Sequence, residues 1–200
     1  MTLLTLVRHG ETDWNFARRI QGSTDIPLND TGRKQAADAA TALRAELDLD
    51  APVAVVASDL SRARDTAEII ASVLGVRVSG LYPDLRERGY GEAEGLDADE
   101  FLERWGDWNA DIPGAEPWPD VRARGLRALR QVVRDVRQAT APAAASVIVV
   151  THGAMMRELL GHVSGGRLPA PGERLANGSA HTILYERERL RLLSTTAASV

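Results

Sequence analysis

Two apolar runs of the sequence each end in the dipeptide His-Gly, and this repetition constrains the fold more than any other feature. Residues 3–7 lead through Arg8 into His9-Gly10, and residues 146–151 lead into His152-Gly153. Short, nearly continuous apolar runs are typical of parallel strands that are covered on both faces. Ligands bind such sheets at the carboxyl ends of the strands. If both strands are central and parallel, the two imidazoles face each other across one crevice.

The rest of the pattern alternates strands with amphipathic helices, which predicts an α/β fold. We expect a three-layer sandwich, with a mostly parallel central sheet, helices on both faces and an antiparallel edge strand. Strands are predicted at 3–7, 52–57, 76–78 and 146–151, and helices at 31–47, 63–74, 126–136 and 156–163, with a terminal hairpin of 180–185 and 190–194 that turns at 186–189. Ser58 and Asp59 are expected to cap the second helix. A length of 200 residues, 44% of them hydrophobic, predicts one domain over residues 1–200.

Residues 80–118 interrupt this alternation. The segment is rich in glycine and proline and contains three of the four tryptophans, Trp105, Trp108 and Trp118. Long irregular segments inside a compact domain are usually functional. We therefore expect an irregular lid that forms the wall of a substrate pocket.

Composition narrows the cellular setting and the partners. The net charge of -4 argues against a nucleic-acid partner or an anionic membrane surface. Cysteine is absent, so neither disulfides nor thiolate metal sites are available. The N-terminus lacks a basic signal region, and no apolar stretch approaches the roughly 20 residues that cross a bilayer. We expect a cytoplasmic protein without nucleic-acid or membrane partners, either a monomer or a homodimer.

The residues around the first His-Gly indicate phosphate chemistry. The neutral imidazole of His9 can attack phosphorus, and the guanidinium of Arg8 can hold two phosphate oxygens. Nearby positive charge should lower the pKa of His9, and a backbone carbonyl should fix its tautomer. A protonated His152 can stabilise charge on the transferred group, and the N–H groups of Gly10 and Gly153 can add donors. The motif predicts phosphoryl transfer through a phosphohistidine.

Two further groups are needed, and the pattern alone leaves each of them open. A second guanidinium at the start of the helix after residue 57 is expected to point into the crevice, but Arg62 and Arg64 fit equally well. A carboxyl group must protonate the leaving oxygen of a phosphate ester. Glu87, Glu92 and Glu94 of the irregular segment are all candidates.

The combination of motifs along the chain resembles the histidine phosphatase superfamily, in its phosphoglycerate-mutase-like branch. The resemblance rests on Arg8-His9-Gly10-Glu11-Thr12 with Trp14-Asn15, Gln21-Gly22, Thr31-Gly32, Ser58-Asp59-Leu60 with Arg62-Ala63, Leu85-Arg86-Glu87, Glu94-Gly95-Leu96 and Thr151-His152-Gly153. It implies that His9 is the phosphorylated nucleophile and that Arg8, Arg62 and His152 complete the phosphate pocket. It also implies that Glu87 is the general acid and base.

Further site residues follow from the same resemblance, as does the choice of Arg62 over Arg64. Asn15 is expected to contact the phosphate, and the substrate-binding surface is expected to include Gln21, Gly22, Gly153 and Tyr90. No metal and no other cofactor is implied. The expected partner is a small phosphate ester.

The family includes both phosphatases and mutases, and this chain departs from the mutase pattern. Glu87-Arg88 with Tyr90-Gly91 resembles the mutase sequence Glu-Arg-His-Tyr-Gly. However, the mutase lysine after Gly-Leu is missing at residues 97–98, residues 97–118 contain no arginine pair, and Ala154 replaces an asparagine. We therefore expect a metal-independent phosphomonoesterase that acts on a small phosphorylated metabolite. The alternatives are a 2,3-bisphosphoglycerate-dependent phosphoglycerate mutase and a non-catalytic phosphate-binding protein.

Overall fold

A computed structural model describes residues 1–48, 50–108, 110–170, 172–186 and 189–196. Over these residues the chain forms one six-stranded sheet, whose strands are β1 (Thr2–Arg8), β2 (Val53–Ala57), β3 (Val78–Leu81), β4 (Ser146–Thr151), β5 (Ala180–Glu186) and β6 (Arg189–Thr196). The helices are α1 (Asp13–Phe16), α2 (Asp30–Glu46), α3 (Ser61–Leu74), α4 (Ala98–Trp105), α5 (Trp118–Thr140) and α6 (Gly153–Ser164). No helix of the described part is long and apolar enough to cross a membrane.

The strand order is β3-β2-β4-β1-β5-β6, and the first four strands in this order run parallel. The antiparallel pairings come from the terminal hairpin, in which β5 lies against β1 and β6 lies against β5. Residues 187 and 188 of the predicted hairpin turn lie outside the described residues. The predicted mostly parallel α/β sheet is confirmed.

The two faces of the sheet are covered by different helices, which confirms the three-layer arrangement. On one face α5 and α6 pack over Leu4, Leu6 and Val149, and on the other α2 and α3 pack over Val7 and Val150. Successive residues of β1 and β4 therefore point to opposite cores, as the near-continuous apolar runs predict.

Strands β1 and β4 are neighbours near the centre of the sheet, and their register aligns the two His-Gly sequences. Arg8 lies opposite Thr151, and the backbone N–H of His9 donates to the carbonyl of Thr151 at 3.0 Å. His9 and His152 consequently leave the sheet side by side at its carboxyl edge.

Two local predictions are wrong. Ser58 and Asp59 do not cap α3, because Asp59 instead binds the guanidinium of Arg86 at 2.7 and 2.5 Å. The carboxylate of Asp25 replaces them and accepts from both the backbone N–H and the hydroxyl of Ser61, at 2.8 and 2.7 Å.

The third strand begins at Val78 rather than at residue 76. Gly75 ends α3 in the left-handed region at φ 72°, and the N–H of Val76 still bonds back to the carbonyl of Ala71 at 2.9 Å. Residues 76 and 77 therefore connect the end of α3 to the sheet, and the strand begins two residues later than predicted.

The segment 80–118 is more regular than predicted. It contains α4 and short 3₁₀ turns at Pro83–Leu85 and Gly91–Ala93. Asp97 begins α4 with a capping box completed by Glu100, and Phe101 lies in a small apolar cluster of its own. The backbone of Ile20 pairs with residues 95 and 96 of the segment at 2.8 and 2.9 Å. The segment is therefore attached directly to the loop that follows α1.

Candidate active site

The imidazole of His9 is held in one orientation and one tautomer. The side chain is buried, and its Nδ1 atom lies 2.6 Å from the carbonyl oxygen of Gly10, so Nδ1 carries the hydrogen and Nε2 keeps its lone pair. Burial lowers the pKa of His9 well below its usual value, and the positive charges of Arg62 and Arg8 lower it further. The carbonyl partner of the imidazole is as predicted, and the pKa is lowered as predicted, although burial, which the sequence analysis did not name, is the larger cause. A neutral His9 at neutral pH can act as a nucleophile.

The backbone that carries His9 is fixed by Gly10. Its N–H donates to the hydroxyl of Thr66 at 3.0 Å, and this hydroxyl donates to the carbonyl of Arg62 at 2.7 Å. A Cβ at position 10 would lie 2.2 Å from the carbonyl oxygen of Gly32, so only glycine fits there. The prediction that the N–H of Gly10 serves as a phosphate donor is wrong, because Thr66 already occupies it.

Two guanidinium groups lie beside His9. Arg62 is fully buried, and its terminal nitrogens donate to the carbonyls of Gly22 and Thr24, each at 2.8 Å. Arg8 donates through Nη1 to the carbonyl of Leu175. Burial lowers the pKa of both guanidinium groups, and the Nε atom of each is buried without a partner. Two guanidinium groups with unfilled buried donors, Arg62 fully buried and Arg8 half-buried, favour a bound anion.

His152 lies behind His9 as the residue that precedes α6. The two ring centroids are 5.1 Å apart, and His152 is completely buried, with no partner on either ring nitrogen. Burial, followed by the charge of Arg62, lowers the pKa of His152 well below its usual value. An anion bound in the cleft beside His9 would oppose these effects and favour the protonated form of His152.

The carboxylate of Glu87 lies at the N-terminus of α6, where helix N–H groups have no partner within the helix. It accepts from the N–H of Ala154 at 3.1 and 3.2 Å and from that of Met155 at 3.2 Å. It also accepts from the N–H of Arg88 at 3.0 Å. These donors fix the position of a carboxylate that lines the same cleft as His9.

The other two glutamates considered as proton donors have structural partners elsewhere. Glu92 pairs with Arg104 at the surface, at 2.7 Å. Glu94 accepts from the N–H and hydroxyl groups of Ser23 and Thr24 at 2.7–3.2 Å, and so holds the loop whose carbonyls bind Arg62. The structure thus favours Glu87 among the three.

The side chain of Asn15 is oriented by a residue that the sequence analysis missed. Its Oδ1 atom accepts from the N–H of Thr12 at 3.2 Å and from Nδ2 of Asn177 at 3.3 Å. Asn177 also donates to the carbonyl of His9 at 2.9 Å. Because Oδ1 is occupied, Asn15 can offer its Nδ2 group to an anion. In the sequence, Asn177-Gly178-Ser179 before an edge strand resembles the phosphatases of the family, but nothing in that stretch indicates that Asn177 bonds to Asn15 and to the backbone of His9.

These groups line a cleft of about 140 Å³. Its lining residues are Arg8, His9, Asn15, Arg19, Ile20, Gln21, Gly22, Arg62, Glu87, Tyr90 and Trp108. Of the predicted site residues, His152 packs behind His9, and Gly153 lies against the guanidinium of Arg8. Arg64 is absent from this lining and contacts Asp65 instead. A larger cleft of about 250 Å³ between α5, α6 and the terminal hairpin contains none of the predicted residues.

In the described part of the chain, no group of three or more histidine or carboxylate side chains is placed to hold a metal ion. The described cleft is lined by three arginines, and the imidazole of His9 lies within reach of the charges of Arg62 and Arg8. A cleft of this kind, at the carboxyl edge of a parallel sheet, is typical of α/β proteins with anionic ligands.

Comparison with known proteins gives the family. The sequence model of the histidine phosphatase superfamily, branch 1, matches residues 4–197, and the chain belongs to this superfamily. It is 36% identical over 195 residues to the uncharacterized phosphatase PhoE of Bacillus subtilis, covering 96% of this chain and 93% of PhoE. It is 38% identical over 169 residues to a metal-independent phosphoserine phosphatase of Arabidopsis thaliana, covering 80% and 67% of the two chains.

Mutase-like relatives and solved structures complete the comparison. A probable phosphoglycerate mutase, GpmB of Photorhabdus laumondii, is 36% identical over 93% of this chain and 86% of its own. The structure of a mycobacterial glucosyl-3-phosphoglycerate phosphatase in complex with VO3 superposes with a TM-score of 0.79 at 28% identity, covering 98% and 99% of the two chains. The fold is therefore phosphoglycerate-mutase-like, as expected from the sequence.

Proposed function

We propose that this chain hydrolyses phosphate monoesters of small metabolites, without a metal ion, through a phosphohistidine at His9. The observation that carries the proposal is the fixed tautomer of His9, whose Nδ1–H donates to the carbonyl of Gly10 and leaves Nε2 as a nucleophile. This imidazole lines a cleft that also contains the guanidinium groups of Arg8 and Arg62. Such groups neutralise a phosphate dianion and the charge that develops during transfer.

The first half-reaction moves the phosphoryl group to the enzyme. Nε2 of His9 forms a bond to phosphorus, the bond between phosphorus and the ester oxygen breaks, and Glu87 gives a proton to the departing oxygen. Arg8 and Arg62 hold the phosphoryl oxygens, a protonated His152 next to His9 adds positive charge, and Asn15 donates through Nδ2. The fixed carboxylate of Glu87 and the preset donors provide the orientation that the transfer needs.

The second half-reaction returns the enzyme to its starting state. Glu87, now ionised, accepts a proton from water as the water attacks phosphorus and the bond to His9 breaks. Phosphate then leaves with His9 neutral and Glu87 protonated again. The named relatives that are phosphatases are consistent with this outcome.

The organic part of the substrate is expected to lie in the outer half of the cleft, beside Ile20, Tyr90 and Trp108. Trp108 is 41% exposed and stacks on Phe101 with a centroid distance of 4.3 Å, so one indole face remains open. The side chains of Ile20, Tyr90 and Trp108 suit a leaving group that is uncharged or weakly polar. We propose phosphorylated metabolites as the substrate class.

A phosphoglycerate mutase is the second candidate, and the mutase-like relatives favour it. Against it, Arg88 of the mutase-like sequence is buried between the rings of Trp118 and Tyr90, at 4.0 and 4.8 Å, and donates to the carbonyl of Glu116. It does not line the cleft, and it therefore supplies no second phosphate site there.

A screen of metabolite phosphates for phosphate release, with His9→Ala as the blank, tests the proposal. We expect release that EDTA does not abolish and that His9→Ala eliminates. Interconversion of 2- and 3-phosphoglycerate that depends on 2,3-bisphosphoglycerate, without phosphate release, would instead identify a mutase. Phosphate binding without turnover of any ester would identify a binding protein.

A further inference from the structure

The guanidinium of Arg124, on α5, is attached to the stretch of backbone that carries Glu87. Its Nη1 atom donates to the carbonyls of Asp84 and Arg86 at 2.9 and 2.6 Å. Its Nη2 atom donates to the carbonyl of Glu87 itself at 2.9 Å. One side chain thus holds three carbonyls within four consecutive residues.

The same guanidinium is held from its other side by Glu116. Nε and Nη2 of Arg124 donate to the two carboxylate oxygens of Glu116 at 2.7 and 2.8 Å, in the paired geometry that arginine and carboxylate prefer. Only 12% of the Arg124 side chain is exposed. Although burial acts in the opposite direction, the hydrogen bonds and charge of Arg124 lower the pKa of Glu116, which keeps the pair ionised at neutral pH.

Glu116 in turn joins this site to the neighbouring loop. Its backbone N–H donates to the carbonyl of Gly89 at 2.8 Å, and its carbonyl accepts from Arg88 at 2.7 Å. Residues 84–89 are therefore fixed between α5 and the loop that precedes it, while the carboxylate of Glu87 extends to the first N–H groups of α6. Arg124 thus holds the backbone from which this carboxylate extends.

We propose that Arg124 is a positioning residue for general acid and base catalysis, acting through the backbone of Glu87. This inference rests on the function proposed above. General acids work only within a fraction of an ångström of the productive geometry. Loss of the Arg124 hydrogen bonds frees the carbonyls of residues 84–87 and displaces the carboxylate from the cleft.

If the general acid is displaced, the loss in kcat/KM depends on the leaving group of the substrate. A variant that is only less stable would lose the same factor with every substrate. An alkoxide needs a proton in order to leave, whereas a nitrophenolate leaves without one. kcat/KM reports the transfer to His9, and kcat also includes hydrolysis of the phosphohistidine, for which Glu87 is the base. Removal of Arg124 should therefore spare kcat/KM for an aryl phosphate and reduce it for an alkyl phosphate.

The experiment compares wild type, Arg124→Met and Glu87→Gln with p-nitrophenyl phosphate and glycerol 2-phosphate. For Arg124→Met we expect kcat/KM to fall about 10–100-fold with glycerol 2-phosphate and less than about 3-fold with p-nitrophenyl phosphate. Glu87→Gln should show the same selectivity to a greater degree. With p-nitrophenyl phosphate, Arg124→Met should also show a lower kcat and a larger burst of p-nitrophenolate.

Arg127→Met is the matched control, since it lies on the same helix and its exposed side chain pairs with Asp84 at 3.4 Å. We expect it to leave both kcat/KM values within about 2-fold of wild type. If circular dichroism shows that Arg124→Met does not fold, Arg124→Lys is used for the test instead. Lysine keeps the charge but cannot make the paired hydrogen bonds of a guanidinium. The kcat/KM of this variant should fall about 3–10-fold with glycerol 2-phosphate only.

Equal losses for the two substrates in the Arg124 variant that folds, with an unchanged burst, would overturn the inference and leave Arg124 a purely structural role. The proposed function fails differently. In that case wild type hydrolyses neither ester, or His9→Ala is as active as wild type.

Discussion

Thr66 offers a sharp test of how the nucleophile is held in place. Its fully buried hydroxyl accepts from the N–H of Gly10 and donates to the carbonyl of Arg62. Gly10 in turn provides the carbonyl that fixes the His9 tautomer. Thr66→Val keeps the shape of the side chain but removes the hydroxyl, so the change is confined to these hydrogen bonds.

The loss in the free energy of unfolding follows from the hydrogen-bond partners that Arg62 and Gly10 keep without the hydroxyl. The carbonyl of Arg62 lies in α3, and the backbone N–H of residue 66 is placed to give it the usual helical hydrogen bond. The substitution does not change this backbone group. The N–H of Gly10 has no substitute and becomes a buried unpaired donor, which costs about 1–3 kcal/mol. For a chain of 200 residues, each kcal/mol lowers Tm by about 2–4 °C, so Thr66→Val should melt about 2–12 °C below wild type.

The effect on catalysis is expected to exceed the effect on stability. A shift of the Gly10 peptide moves the acceptor of His9, and a displacement of about 1 Å costs about 100-fold in rate. We expect kcat for p-nitrophenyl phosphate to fall about 10–100-fold in Thr66→Val and less than about 3-fold in Thr66→Ser, which keeps the hydroxyl. Calorimetry and steady-state kinetics on both variants measure these values. A Thr66→Val protein with the Tm and kcat of wild type would refute this explanation.

Three further variants test other parts of the structure. Trp108→Ala should raise KM for aryl phosphates about 2–12-fold while barely changing KM for glycerol 2-phosphate, because stacking contributes about 0.5–1.5 kcal/mol; equal changes would contradict the proposed contact with the leaving group. Glu94→Gln should destabilise the protein more at pH 7 than at pH 3 in urea titrations. Hydrogen bonds from Ser23 and Thr24, opposed by burial, lower the pKa of Glu94 in the folded state. The stabilisation is therefore present above the unfolded pKa and lost as the pH falls through the folded one, and a pH-independent difference would contradict this assignment. Gly10→Ala should yield inactive or unfolded protein, since its Cβ would meet the backbone of Gly32, and an active enzyme would show that the close approach is not required.

Much of the fold could be predicted because local sequence and long-range packing agree along β1 and β4. Their apolar runs match strands buried on both faces, and the His-Gly sequences fall where the parallel register places them together. The cap of α3 could not be predicted, because Asp25 reaches it from a distant loop and Asp59 finds Arg86. Propensities describe neighbours along the chain and carry no information about such partners.

Some residues of the candidate site could likewise be predicted from the sequence, and others could not. Residues that lie directly in a motif, such as His9, could be recognised from the sequence, whereas Arg62 and Arg64 could be separated only by a resemblance. In the structure Arg62 is buried and bonded to the loop at residues 22–24, while Arg64 pairs with Asp65. Thr66 and Arg124 bond to backbone groups, and a sequence does not indicate which carbonyl or N–H a side chain will meet.

The central claim is that the phosphoryl group passes through His9, and isolation of the phosphorylated enzyme tests it most directly. Wild type and His9→Ala are mixed rapidly with a labelled aryl phosphate, quenched in base, digested and sequenced by mass spectrometry. We predict a burst of label stoichiometric with wild-type enzyme, an acid-labile and base-stable linkage, and its location on the peptide that contains His9. Turnover without label on His9, or equal labelling of His9→Ala, would contradict the account.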